Sequence, residues 1–369
     1  MIPINVSILD EKEKLEVMKV MDSGFLTTAA SEGGTYVKKM QSSLESFLNV
    51  KHVLAVNSGT AALYASLLAI GVKPGDEVLI PSFTFLATAN SVLLTGAKPV
   101  FVDIELDHYN INPKDLVKKI TGRTKAVIPV HLYGYPAEMS EITEIAEKHG
   151  LNIVEDAAQS LGSTYKGLQT GTLSDIGCFS LYASKIITSG EGGFIATNRT
   201  ELAEKVKMIR NHGMISPYNS GILGSNMRMP EIEAAIAYIQ MSKLPTFLKS
   251  RRENAEYLSK KISTFIGLTL PTEAERCKSN WYLYTVSINK NRDEVQSYLH
   301  SKGVGAAVYY NPPVHKSDIY KNNRFGDTRL DNTDFASNHV LSLPVHPKVT
   351  KDDLTLISTT LHEALTLNQ

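Results

Sequence analysis

HVLAVNSGTAALYASLLAIG, residues 52–71, carries an apolar strand, a small polar turn and a helix in direct succession. His52–Val56 has the length and apolar character of a buried strand. Asn57-Ser58-Gly59-Thr60 ends it and opens the helix, and Gly71 stands where a C-terminal cap belongs. Strand followed at once by helix is the first half of a βαβ unit, and downstream the pattern repeats. Apolar runs EVLI (77–80), PVFVDI (99–104), AVIPVHL (126–132) and NIVEDA (152–157) alternate with helical segments FLATANSVLLTG (85–96), NPKDLVKKI (112–120) and MSEITEIAEKHG (139–150). That alternation predicts a mainly parallel sheet between helices, an α/β fold. Ile142, Ile145 and Ala146 form the buried stripe of the helix that Gly150 caps. A strand over Gly193–Thr197 and a helix from Glu201 to about Asn211 extend the same domain.

Upstream, residues 1–50 hold a helical segment, the polar stretch SGFLTTAASEGGTYV (23–37) and an amphipathic run through Met40, Leu44 and Phe47, an arm leading into the main domain. Downstream of NHGMISPYNSGILGSNMRM (211–229) the texture changes. Pro230 suits a first helical turn, with Ile232, Ala235, Ile236 and Ile239 following at helical spacing, and a second, charged helix is expected over 247–262. Then come a strand (WYLYTVSI, 281–288), a helix (292–303), an apolar strand (VGAAVYY, 304–310) and a final helix after Val349. We read residues 1–230 as the arm and large α/β domain, and 231–369 as a smaller C-terminal α+β domain.

Lys and Arg number 38 against 38 Asp and Glu, so no overall field favours nucleic acid, an anionic membrane or an acidic polymer. The amino terminus has no basic stretch followed by an apolar run, and no apolar segment approaches a membrane span, so a cytoplasmic protein is expected. Cys178 and Cys277 are far apart and without C-x-x-C spacing, which indicates neither a disulfide framework nor a zinc site.

Ligands of an open α/β sheet gather beyond the carboxyl ends of its strands. Four such places speak to one chemistry. The turn Asn57–Thr60 opens a helix, whose free N–H groups and dipole suit a phosphate, with the Thr60 hydroxyl beside them; a plain Ser/Thr N-cap gives the same pattern. It is no dinucleotide fingerprint, since G-x-G-x-x-G is absent, and Gly162 and Gly167 are followed by Leu168-Gln169 rather than the Lys-Ser/Thr of a Walker A loop. Phe85, in PSFTF, offers a face to a planar ring or an anchor to the core. Asp156, after the strand NIV, suits a pyridinium nitrogen or the cap of the next helix. Lys185 lies in FSLYASKIITSGEGG (179–193), where Ser180, Ser184, Thr188 and Ser189 supply hydroxyls for phosphate oxygens, and Gly190, Gly192 and Gly193 allow close backbone approach. An amine beside a phosphate site, able to be captured as an imine, suggests pyridoxal 5'-phosphate.

With these residues in view, the chain resembles the DegT/DnrJ/EryC1/StrS family of sugar aminotransferases. The likeness runs nearly end to end through NSGTAAL, PSFTFLATANSVLLTGAKPVFVDI, PVHLYGYPAEM, VEDAAQSLG, YKGLQTG, FSLYASKIITSGEGG, NHG, GSNMRMPEIEAAI and LSLPVHP. The resemblance implies an aspartate-aminotransferase-like fold (fold type I) using pyridoxal phosphate. It makes Lys185 the imine-forming and proton-carrying amine, pairs Asp156 with the pyridine nitrogen, sets Gln159 on the phenolic oxygen and Phe85 on the ring, and gives the phosphate to Gly59, Thr60 and Ser180. Asn226 and Arg228 would reach the neighbouring subunit's site, the first towards phosphate and the second towards substrate, which implies a homodimer with shared sites. Tyr310 and His315, in YYNPPVH, are assigned to the acceptor pocket, although strand-core packing and a structural hydrogen bond account for these residue types as well. The implied reaction moves an amino group from glutamate or glutamine to a nucleotide-linked keto-deoxysugar. Other readings are a keto-cyclitol or aminodehydroquinate-type acceptor, or a regulatory homologue that binds the cofactor without turnover. Tyr182-Ala183-Ser184 replaces the His-Pro-Thr that many members carry before the lysine, and a lysine rather than histidine at 185 separates the chain from a dehydratase branch.

Overall fold

The computed structural model describes residues 1–323, 325 and 328–367. Helices α1 (Glu11–Ser23) and α2 (Thr35–Leu48) form the amino-terminal arm. Strand β1 (His52–Val56) leads through the Ser58 turn into α3 (Gly59–Ala69). The alternation continues with β2 (Glu77–Pro81), α4 (Leu86–Leu94), β3 (Lys98–Val102), α5 (Pro113–Lys119), β4 (Thr124–Val127), α6 (Met139–His149) and β5 (Asn152–Asp156). Strands β6 (Ile176–Ser180) and β7 (Gly193–Thr197) and helix α7 (Thr200–Ile209) complete the unit.

Among the described residues the seven strands form one sheet in the order β1-β7-β6-β5-β4-β2-β3. Only β7 runs against its neighbours, β1 and β6; every other pairing is parallel. Alternate residues of a strand face opposite sides, and both sides are covered. Val53 and Ala55 join Phe179, Phe194 and the arm's Met40 and Leu44, whereas Leu54 and Val56 join Leu63 and Leu67 of α3 and Val206 of α7. The continuous apolar runs of the sequence follow from this burial on both faces.

Beyond the sheet, α8 spans Glu231–Ile262 as one helix of 32 residues. Two helices were expected, one after Pro230 and a charged one over 247–262; Pro245 lies inside the single helix observed, where a proline removes an N–H and crowds the preceding turn. The helix continues through it because both halves are anchored. Ala234, Ala235, Met241 and Leu244 bury against the arm and large sheet; Ala255, Leu258 and Ile262 bury in a separate cluster. That second cluster lies around a three-stranded antiparallel sheet, β8 (Leu268–Thr269), β9 (Tyr284–Ile288) and β10 (Val340–Leu343), with α9 (Arg292–Ser301) and α11 (Lys351–Leu367) against it and α10 (Asp331–His339) leading into β10. The expected division at 230/231 therefore falls at the first residue of a helix that both clusters share. The strand expected over 304–310 does not form. Val304 and Ala307 make isolated bridges to Ile2 and Ser342, so the segment is extended chain beside β10 and the amino terminus.

Candidate active site

Since β1, β2, β5 and β6 run the same way, their carboxyl ends open on one edge of the sheet, and the chain segments leaving them line one cavity of about 910 Å³. Ser58, Gly59 and Thr60 follow β1, Thr84 and Phe85 follow β2, Asp156 ends β5 with Gln159 after it, and Ser180 ends β6 with Lys185 after it. Tyr282, Tyr309 and Tyr310 close it from the carboxyl-terminal part of the chain.

At the β1 end, Ser58 caps α3 by accepting the N–H of Ala61 over 3.0 Å, which leaves the first N–H groups of a buried helix facing the cavity. Glycine is required at 59 by space: a Cβ there would stand 2.9 Å from that of Ser180. Thus the turn that opens α3 and the end of β6, five residues before Lys185, approach each other at backbone distance.

Asp156 is buried, its Oδ2 accepting from Thr88 Oγ1 (2.9 Å) and its Oδ1 from the N–H of Ala158 (3.2 Å). Burial raises its pKa above the usual carboxylate value; those two donors and the nearby Lys185 oppose the rise. Among the described residues no cation lies within ion-pair distance of this carboxylate, so a protonated ring nitrogen from a ligand would complete it. Gln159 is held at both ends of its amide: Oε1 accepts from the N–H of Tyr133 (2.7 Å) and Nε2 donates to Tyr310 Oη (3.0 Å), with a second amide hydrogen to spare. Phe85 is 57% exposed with its ring 6.2 Å from that of Tyr310, a free face at the cavity wall. The Lys185 amine rests 4.8 Å from the centre of the Tyr282 ring. These residues fit pyridoxal phosphate: anion-binding N–H groups, an unpaired buried carboxylate, an aromatic face and an amine share one enclosure.

Not every expected residue lies there. Thr188 and Ser189 are buried in the turn after the lysine, where the Thr188 hydroxyl donates to the carbonyl of Leu181 and Ser189 to that of Glu191. Their hydroxyls hold the loop shape, so they are corrected from phosphate ligands to structural groups; Ser180 and Ser184 do line the cavity. His315 is also moved: it is 3% exposed, its Nδ1 lies 2.7 Å from Ser82 Oγ, its Nε2 faces Asp334 at 3.6 Å, and Val314 and Ser317, not His315, face the cavity. Burial depresses its pKa, as befits a neutral ring bracing the wall. Asn226 and Arg228 lie outside this chain's cavity as well. The Asn226 carbonyl accepts from Asn57 Nδ2 (3.3 Å), and the Arg228 guanidinium donates to Asn211 Oδ1 (2.6 Å). Sequence reading missed Thr88, Tyr133 and Tyr282. Thr88 lies one turn into α4, on the face towards Asp156, a helical offset from Phe85 that could have singled it out; the other two arrive from distant loops, and no local pattern marks them.

His131 takes the N–H of Ala137 on Nδ1 (3.0 Å), so its proton is on Nε2 and goes to Glu155 Oε2 at 2.9 Å. Glu155 also accepts from the N–H groups of Gly171 and Leu173 and from Ser174 Oγ. This buried knot fixes the backbone next to Asp156.

Fold and site together define the aspartate-aminotransferase-like class of pyridoxal phosphate enzymes. The DegT/DnrJ/EryC1/StrS aminotransferase family model matches residues 7–362, and the chain belongs to that family. It is 36% identical over 357 residues to a pleiotropic regulatory protein of Geobacillus stearothermophilus, with 95% of each chain covered. It is 38% identical over 335 residues to the dTDP-3-amino-3,4,6-trideoxy-α-D-glucose transaminase of Streptomyces venezuelae, covering 90% of this chain and 86% of that protein. A putative sugar aminotransferase from Streptococcus pneumoniae, solved in its PLP form, superposes with a TM-score of 0.93 at 26% identity over 99% of both chains.

Proposed function

We propose that this protein transfers an amino group from glutamate or glutamine to a nucleotide-linked keto-deoxysugar, with pyridoxal 5'-phosphate bound in the 910 Å³ cavity. The observation that carries the reading is the meeting of Lys185, Asp156, Gln159 and the α3 amino terminus in one enclosure. When bound, the cofactor supplies an electron sink conjugated to an imine, which stabilises negative charge at the carbon bearing the nitrogen. In this assignment Gly59, Thr60 and Ser180 hold its phosphate, Phe85 covers its ring, Asp156 keeps its nitrogen protonated and Gln159 donates to its phenolic oxygen. Lys185 moves the proton between donor carbon and cofactor. Among the described residues that line the cavity, only Lys185 is cationic, whereas a nucleotide diphosphate and a donor carboxylate both bring negative charge. We therefore assign Asn226 and Arg228 to the site of a second copy, the first near phosphate and the second near substrate, in a homodimer with shared sites. Tyr310 is kept as an acceptor contact; His315 is not. Nucleotide-linked substrates make the cytoplasm the expected compartment.

The test is an absorbance spectrum of purified protein with pyridoxal phosphate, before and after glutamate, beside Lys185→Ala. Loss of the lysine-bound band on adding glutamate, with no such band in the variant, supports the reading; cofactor binding that glutamate leaves unchanged refutes it. The relative described as a regulatory protein keeps a second reading in play, cofactor binding without turnover. A screen of nucleotide keto-sugars and keto-cyclitols against the amino form of the cofactor then identifies the acceptor.

A further inference from the structure

Tyr282 takes no part in the assignment above, yet it is the residue on which the Lys185 amine rests, 4.8 Å from the ring centre. Its ring is held from several sides. The Tyr282 hydroxyl meets Ser184 Oγ, next to the lysine, at 3.0 Å. Its backbone N–H donates to Asn280 Oδ1 (2.8 Å), and Asn280, fully buried, donates in turn to the carbonyls of Gln159 and Leu161. Trp281, just before it, has φ 54°, a left-handed conformation that a bulky residue adopts only under constraint. The constraint includes Arg251, 2% exposed, whose Nη1 donates to the carbonyls of Trp281 (3.3 Å) and Tyr282 (3.1 Å) and whose Nη2 donates to Asn5 (2.8 Å). A buried guanidinium spent on backbone carbonyls, beside a strained residue, is an expensive way to hold one aromatic ring in place.

We infer that Tyr282 is a positioning residue whose ring face seats the Lys185 ammonium whenever the lysine is not joined to the cofactor. This rests on Lys185 being the cofactor-bearing amine. In an amino-transfer cycle the lysine nitrogen leaves the cofactor, and it must then wait within reach without swinging out to solvent. An aromatic face attracts an ammonium without forming a bond that has to be broken later. The cavity's other aromatics are Phe85, Tyr182, Tyr309 and Tyr310, and among the described residues it is the Tyr282 ring on which the Lys185 amine rests. The Ser184–Tyr282 contact ties the seat to the lysine's own loop, and the Asn280–Gln159 contact ties it to the segment that bears the cofactor ligand.

The experiment uses full-length protein, both cofactor-free and loaded with pyridoxamine 5'-phosphate, in which Lys185 is free. Acetic anhydride acylates accessible amines, and mass spectrometry gives the rate at Lys185 relative to the surface lysine Lys249 in the same sample. Tyr282→Leu removes the π face and is expected to speed acylation of Lys185 about 2- to 30-fold. Tyr282→Phe keeps the face, loses the hydroxyl and is expected to stay within about twofold of the parent protein. Tyr282→pentafluorophenylalanine keeps the ring volume but withdraws charge from its face, and should label like the leucine variant; it keeps the test decisive if leucine impairs folding. Leucine and fluorinated variants that label at the parent rate overturn the inference, as does a phenylalanine variant that labels as fast as leucine, since the hydroxyl contact would then be the active element. Absence of a lysine-bound cofactor band in the parent protein would defeat the assignment of Lys185 instead, and the labelling rates of cofactor-free protein report on the seat independently of that outcome.

Discussion

Thr88→Val exchanges a hydroxyl for a methyl group of nearly the same size, and the hydroxyl lost is the one that donates to Asp156 Oδ2 over 2.9 Å. Thr88 is fully buried, and with valine in its place the N–H of Ala158 at 3.2 Å is the hydrogen-bond donor left to the carboxylate among the described residues. Removing a hydrogen bond to a buried charged group costs about 1.5–3 kcal/mol. A chain of 369 residues gains roughly 0.8 kcal/mol/K of entropy on unfolding, so the expected fall in Tm is about 2–4 °C. The deficit depends on pH. Burial lifts the Asp156 pKa above its ordinary 3.8, so the folded protein holds this proton to higher pH than the unfolded chain, and stability falls as pH rises through that window. Loss of the Thr88 donor lifts the folded pKa further. The variant should therefore fall further behind the parent at neutral pH than near pH 3, below the ordinary 3.8, where folded and unfolded chains alike carry the proton. Thermal unfolding of cofactor-free parent and variant at several pH values reads both effects. A Tm difference under about 1 °C at neutral pH, or one that does not change with pH, would refute this account of how Asp156 is kept ionised.

Gly193→Ala should destabilise the sheet by about 1–3 kcal/mol, because its Cβ would stand 2.6 Å from the Phe179 carbonyl and 2.7 Å from that of Ser58, backbone on both sides; denaturant unfolding measures it, and no loss would show that β7 can shift. Glu155→Ala leaves His131, two N–H groups and a hydroxyl without their buried acceptor, and an unfolding free energy lower by about 3–5 kcal/mol is expected. His346 is depressed from 6.5 to about 4 by burial, against the Pro3 carbonyl that it bonds at 3.0 Å. The unfolded chain therefore takes up a proton first as pH falls from 6.5 towards 4, and stability is lost across that window, by an amount on the order of 2–3 kcal/mol. His346→Gln should flatten that part of the profile, and an unchanged slope would locate the titration elsewhere.

The large unit was readable because its local patterns answer to one burial rule. Every strand from His52 to Asp156 is apolar on both faces, and helix and turn signals alternate with it, so the sheet needed no long-range knowledge. Gly59, Phe85, Asp156 and Lys185 were findable for the same reason: each follows a strand whose carboxyl end opens on one edge. Misreadings came where distant contacts outweigh local preference. The change to a charged texture at 247 was read as a second helix, yet packing at both ends of α8 carries one helix through Pro245. Val304–Tyr310 has the composition of a strand, but among the described residues its β-bridges are isolated ones, to Ile2 and Ser342. Thr188, Ser189 and His315 are the residue types a phosphate or sugar site uses, and the fold spends them on carbonyls and a serine instead.

The linear order of residues by itself determined the mainly parallel sheet, the edge on which the cavity opens and the place of Lys185 beside it, because those depend on strand burial, helix starts and motifs a few residues long. Only the tertiary structure decided what surrounds that lysine. Tyr282, held by Arg251 and Asn280, comes 97 positions later in the chain to meet it, and Thr88 reaches Asp156 across 68. Such contacts depend on where packing closes the loops, and no short window of sequence carries that information.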